Sequence, residues 1–486
     1  MSIVLFFPNE HMQSLFEKNS KVHFFDEHGW SSYNGYVREY LEVDLNGVAS
    51  EFETSPTVVI RRLREYGPLW SRWIAKGDQY ELIMRTALFD IYRISNLLRM
   101  CGIKVAVFNT GVVHHVDTLI FEQACQLQNV KQLFLYSINV MHGRLLPLLQ
   151  TTGILSRTAL IVHCSNVKAT PFIDQFLENK RKQGTPVVGG GLPKGLRYTY
   201  LGGVAEVWLS LLGGGVRGLF AKFKMVKDGF KPKSFFSKYD DFYGVLDFYR
   251  QIRQQKIAID YYKNNLSVKP SADECESIRL LIAAHYQPEA TSFPEGWDGG
   301  NNVDTTIELR RKGYEDVIYY KEHPASLYYI FPIIRFTRIG MARSRDYFTQ
   351  LQALHCKFLD VNFQLTIDSA HISWYVPVTI TGTIAIERAL AGLCTIVTGN
   401  PWYKGLPGVI LLSEIETLYT VDVKWATPDP SVAADAHNFL RAILDNRTIA
   451  NPTGIGTGVV LQTDSILVEY NSEIESLIRY LLAKFC

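Results

Sequence analysis

The chain reads as an α/β protein in which two parallel, Rossmann-like sheets follow one another. Three observations predict this. Apolar strand runs alternate with helical patterns over residues 100–165, and the alternation restarts at Arg279. Its second round contains an unbroken strand, turn, helix and strand over residues 376–400. In that unit an apolar run stops at Thr381-Gly382-Thr383, a helical pattern carries Ile384, Ala385, Leu390 and Ala391, and Gly392 precedes a second apolar run. Its turn leaves backbone N–H groups unpaired at a helix start, which suits either a phosphate or an ordinary Thr cap.

The elements follow in order. Residues 3–7 predict a first strand and 22–25 a second, and residues 57–100 repeat apolar positions at helical spacing until Gly102. Next come a strand at 104–108, a loop, a helix over 119–127, a strand over 132–136, a helical stretch over 143–150 and a strand over 159–163. Residues 242–265 are helical, and 266–273 form the best linker. Beyond it, strands at 279–284, 316–320, 376–380 and 394–397 alternate with helices at 305–311 and 383–391, before closing helices at 434–445 and 465–485.

Composition narrows the function. With 486 residues, 47% of them hydrophobic, the chain can bury large cores and divide into two or three domains. A net charge of +2 provides no global basic field, so a nucleic-acid partner is not expected. Seven scattered cysteines without paired spacing argue against a zinc site or a disulfide framework and fit a cytoplasmic location. The N-terminal apolar run lacks a basic leader and a small-residue cleavage site, so it is read as a strand and not a signal peptide. Residues 189–238 mix glycines, large apolar residues and excess Lys and Arg. They fit a segment lying peripherally on the inner face of an anionic membrane, or a helical excursion whose apolar face is core; the interrupting glycines favour the second.

Ligands of parallel sheets sit beyond the strand C-termini. In the first half, the loop after Phe108 carries His114, His115 and Asp117, with Glu122 in the next helix. These are either helix-capping residues or a catalytic group with Asp117 as carboxylate and the histidines handling its proton. In the second half, three strand ends bear polar loops on one sheet edge: His285, Gln287 and Glu289; Lys321, His323 and Pro324; and Thr381, Gly382 and Thr383. Glu387, one turn into the following helix, is placed to accept hydrogen bonds from a ribose diol. Arg338 and Arg343 are either surface ion-pairing residues or partners for a donor carboxylate. Trp402 and Tyr403 are either packing or a cover for a base or sugar ring.

The blocks HYQPEATSFPEG (from His285), YKEHP (from Tyr320) and TITGTIAIERALAGLCTIVTGNPWY (from Thr379) resemble, in order and spacing, those of the bacterial capsule polysaccharide biosynthesis family. That family includes retaining β-Kdo transferases and related enzymes moving pseudaminic acid from CMP donors. The resemblance covers about residues 279–409 and is loose before them. It implies a GT-B fold, two Rossmann-like domains facing across a cleft, here with a helical excursion at about 189–265 in the N-terminal half. An acceptor domain would span 1–270 and a nucleotide-sugar domain 271–464, with a C-terminal helix, 465–486, crossing back. It further implies that His323 and Pro324 hold the CMP phosphate, that no metal or other cofactor is needed, and that the acceptor is a glycan or glycolipid of capsule or lipopolysaccharide. The chain departs from the Kdo-transferring relatives at Ser137-Ile138-Asn139, where acidic residues are common, and this weakens the assignment of Asp117. The alternatives are a GT-B transferase or epimerase using a UDP-sugar, and a non-catalytic membrane-docking component of capsule assembly.

Overall fold

The computed structural model describes residues 2–6, 10–16, 18–26, 29–32, 35–36, 80–108, 116–138, 140–141, 143–152, 156–159, 166–183, 197–198, 253–254, 256–268, 278–285, 301–323, 329–330, 343–360, 363, 373–451 and 464–486. Within them the chain is a mixed α/β protein with two parallel-rich sheets. No helix among the described residues is long and apolar enough to cross a membrane.

The first sheet begins with β1 (Ser2–Phe6), α1 (Glu10–Phe16), β2 (Val22–Asp26), β3 (Gly29–Ser32) and β4 (Gly35–Tyr36). After α2 (Tyr80–Met100) come β5 (Ile103–Phe108), α3 (Val116–Leu127), β6 (Lys131–Ser137), β7 (Arg144–Thr152) and β8 (Ser156–Ala159). Strands β2, β1, β5 and β6 are parallel neighbours, and β7 joins antiparallel beside β6. One face, with Ile3, Leu5, Val105, Val107, Leu133 and Leu135, packs against the far end of the chain. On the opposite face Phe25, Phe108 and Phe134 meet Phe121 of α3 directly or through one another. The strands therefore carry apolar residues on both faces and read as continuous runs.

β7 corrects the helix expected at 143–150. Leu145 and Leu149 face one core, whereas Leu146 and Leu148 face another. A strand buried on both sides loses its apolar-polar alternation, so its Leu-rich run cannot be told from a helix by periodicity. Of the strand expected at 159–163, β8 includes only Ala159; residues 160–163 lie outside the described residues.

After α4 (Thr170–Gln183), β9 (Arg197–Tyr198) and a π turn at Tyr262–Leu266, the second sheet begins with β10 (Ser267–Val268). It continues through β11 (Arg279–Ala283), α5 (Asn302–Arg311) and β12 (Ile318–Lys321). Outside the sheet, β13 (Tyr329–Ile330) pairs antiparallel with β9. Then follow α6 (Arg345–Ala353), β14 (Cys356–Leu359), β15 (Tyr375–Thr379), α7 (Ile384–Leu390), β16 (Thr395–Val397) and β17 (Val409–Leu411). The order is β10-β14-β12-β11-β15-β16-β17, parallel throughout. Apart from the added edge strand β10, this is the doubly-wound order 3-2-1-4-5-6, and its direction reverses between β11 and β15. β10 lies inside the stretch read as a linker, because residues 267–268 find an open edge on β14.

The chain ends with α8 (Pro430–Leu444), β18 (Ile449–Ala450) and α9 (Asp464–Phe485). β18 pairs antiparallel with β7, and α9 covers the first sheet with Tyr470, Ile474, Leu477, Ile478 and Leu481, which recur at helical spacing. A further core is shared: Tyr136, Ile138, Leu146, Ile173 and Phe176 of the first half pack with Ile386, Ala389, Tyr403, Leu440 and Leu444 of the second.

Candidate functional site

Crevices at a topological switch point open where neighbouring strands send their connections to opposite faces of a sheet. Here that point lies between the C-terminal ends of β11 and β15, and β12 is next in line. The three strand ends singled out in the sequence are thus adjacent.

His285, just beyond β11, crosses the switch point. Its Nε2 lies 3.2 Å from the backbone N of Thr381 and 3.0 Å from Thr379 Oγ1. An amide N–H can only donate, so Nε2 is the acceptor and the ring proton sits on Nδ1. The imidazole thereby holds the turn after β15, and one of the turn's N–H groups is already occupied. Gly382 lets the turn close. A Cβ there would come 2.5 Å from Thr379 Oγ1 and 3.4 Å from His285 Nε2. From the other side the buried Tyr403 hydroxyl donates to Gly382 O at 2.7 Å. Tyr403 is therefore a support under the turn and not a lid over a base or sugar, while Trp402 packs beside it with ring centroids 5.5 Å apart.

Thr383 begins α7 in helical geometry without a side-chain cap, so the Thr cap weighed from the sequence does not form. Among the described residues the N–H groups of Gly382 and Thr383 take no partner. Glu387 sits one turn further on and forms an ion pair at 2.7 Å with Lys180 of α4.

At the end of β12, Glu322 is the centre of a network that the sequence reading passed over. It is fully buried. Oε2 accepts from Tyr320 Oη at 2.7 Å and from Arg343 Nε at 2.5 Å, and Oε1 accepts from the backbone N–H of His323 at 2.8 Å. The backbone N–H of Glu322 donates to Tyr262 Oη at 3.1 Å, and that hydroxyl donates to Leu359 O at 2.6 Å. Burial pushes the Tyr320 and Tyr262 hydroxyls upward in pKa, keeping them neutral donors. The clue in the sequence was the spacing: Tyr320 on β12 and Glu322 just past its end are two residues apart, which in extended chain puts them on one face.

Arg343, expected to meet a donor carboxylate, is instead buried against Glu322; it also donates to His285 O at 3.2 Å and stacks 4.6 Å from the Tyr347 ring centroid. A buried guanidinium needs a fixed counter-ion, and Glu322 supplies it. Burial pushes the Lys321 amine down to about 8, opposed by the nearby charges of Glu322 and Asp360. His323 is half-buried beside it.

The other expectations divide. Glu122 is fully buried in α3, near Cys125, whose thiol is raised by burial and further by the Glu122 charge. Asp117 is the second residue of α3, and its side chain lies outside the described residues, as do His114, His115, Gln287, Glu289, Pro324 and Arg338. The segment 189–238 lies outside them too, apart from β9. Comparison of the chain with protein-family models, with curated proteins and with solved structures gives no match.

Proposed function

We propose that the chain is a glycosyltransferase of GT-B type that moves a 2-keto acid sugar from a CMP donor to a surface-glycan acceptor. The observation that carries this reading is that three strand ends, at His285, His323 and Thr381–Thr383, lie side by side at the switch point of a doubly-wound sheet. The sequence blocks resembling the capsule family fall on these same loops. In this reading the N–H groups of Gly382 and Thr383, with His323, hold the single phosphate of CMP, and Lys321 adds positive charge. Glu387 accepts the ribose hydroxyls.

In the reaction the bond from the sugar C2 to the phosphate oxygen breaks, CMP leaves with the electron pair, and an acceptor hydroxyl oxygen bonds to C2 and releases its proton to a base. A leaving group with one phosphate does not need a divalent ion to neutralise a diphosphate. The first sheet, with Asp117 and its neighbours beyond β5, would present the acceptor side.

Thermal-shift titration with CMP, CDP, UDP and GDP tests the reading. CMP at about a hundred times its Kd should stabilise the protein by roughly 2.7 kcal/mol. Stabilisation by UDP without CMP would point to a UDP-sugar enzyme and overturn the donor assignment. With a panel of CMP-sugars, His323→Ala should abolish transfer with little change in Tm; undiminished transfer would remove His323 from the phosphate site.

A further inference from the structure

The ion pair between Lys180 and Glu387 joins the two halves of the chain at the candidate site. Lys180 lies in the last turn of α4 and Glu387 in the first turn of α7, and their side chains are only 16% and 13% exposed. The approach is built into the packing. Ile173 and Phe176 of α4 share a core with Ala385, Ile386 and Ala389 of α7. The start of α4 is pinned to the end of α8 by Ala169 N donating to Asp445 Oδ1 at 2.5 Å and by Asn446 N donating to Val167 O at 3.0 Å. The Lys180 ammonium is further flanked by the Phe176 ring, 5.6 Å from its centroid. An exposed pair is worth little because two long side chains must be ordered in water. This pair is partly shielded, and the two helices that carry it are packed together by a shared core.

Lys180 occupies Oε1 of Glu387 at 2.7 Å, and among the described residues Oε2 has no partner. A carboxylate fixed through one oxygen offers the other in a set direction. We infer that Lys180 is a positioning residue of the nucleotide site: it holds Glu387 so that Oε2 accepts a ribose hydroxyl. This rests on the nucleotide reading given above. It makes α4, from the first half of the chain, a determinant of selectivity for ribonucleotides over deoxyribonucleotides at a site built on the second sheet.

The test is isothermal titration of the full chain with CMP, 2′-deoxy-CMP and UDP, in wild type, Lys180→Met and Lys180→Arg. Wild type should prefer CMP by about tenfold, the size of one charge-assisted hydrogen bond. Lys180→Met should lose most of that preference while binding 2′-deoxy-CMP as wild type does, and Lys180→Arg should restore it. A merely structural role would weaken both ligands equally. If wild type binds both ligands alike, or Lys180→Met keeps the preference, the inference fails while the nucleotide site stands. If wild type binds neither CMP nor UDP, the nucleotide reading falls and the inference with it.

Discussion

Each sheet buries an arginine against carboxylate, Arg144 beside the first and Arg343 beside the second, and the surroundings separate their roles. Arg144 lies at the start of the antiparallel strand β7. Its guanidinium donates to Thr448 Oγ1 at 3.1 Å, to Thr448 O at 2.8 Å, to Glu469 at 2.6 Å and to Glu473 at 2.8 Å. Glu473 also accepts from Ala450 N at 2.6 Å. These partners belong to β18, its approach and α9, so the cluster fastens the end of the chain to the first sheet. Arg343 is held by Glu322 and the His285 carbonyl, at the strand ends that border the switch point. There the same chemistry fixes the loops that carry His285 and His323. The same chemistry thus stands in two places, one at the end of the chain and one at the strand ends of the candidate site.

The largest effect should come from Arg144→Met. It leaves Glu473 buried without its cation and should cost about 3–5 kcal/mol, read as a lowered urea midpoint. CMP affinity of the folded fraction should not change. Adding Glu473→Leu should recover much of the loss, since two apolar groups replace a half-broken pair. Arg343→Met should cost about 3 kcal/mol for the same reason, yet also weaken CMP binding at least tenfold, because the His285 and His323 loops lose their common anchor. Wild-type CMP affinity in that variant would reduce the second cluster to a clasp like the first.

The smallest effect concerns acid. Burial pushes His23, on β2 of the first sheet, down to about 4. The unfolded chain then binds a proton near 6.5 that the folded chain refuses. The stability is present above that value and is lost as pH falls towards 4. Unfolding at pH 5 should require about 2 kcal/mol less than at pH 7 on this account, and His23→Phe should flatten the slope. An unchanged slope would assign the acid sensitivity to the carboxylate clusters.

Much of the fold was legible. β5, β6, β11, β12 and β15 showed as apolar runs ended by polar loops, and α9 showed its stripe, because both signals arise within a few residues. β7 was misread because covering both its faces erases the alternation, and β10 was read as linker because two residues hold no pattern. The candidates His285, Lys321, His323 and the turn at Thr381–Thr383 were chosen from their place at strand ends, and the fold sets those strand ends side by side. Glu322 was missed, although it stands between two residues that were chosen. A glutamate is seldom buried, and the counter-charge that makes this burial tolerable comes from Arg343, brought in from 21 positions away.

By itself the sequence determined the alternation of strands and helices, the strand ends that bear polar loops, and the glycine where the turn after β15 closes. These follow from local periodicity and from the space that a side chain occupies. Tertiary structure alone decided that β11 and β15 are neighbours, that His285 holds the Thr381 turn, that Lys180 meets Glu387, and which contacts fasten α9, expected to cross back, to the first sheet. Those contacts join residues 96, 207 and more than 300 positions apart. Their pairing depends on the order in which strands are buried into a sheet, which no local pattern encodes.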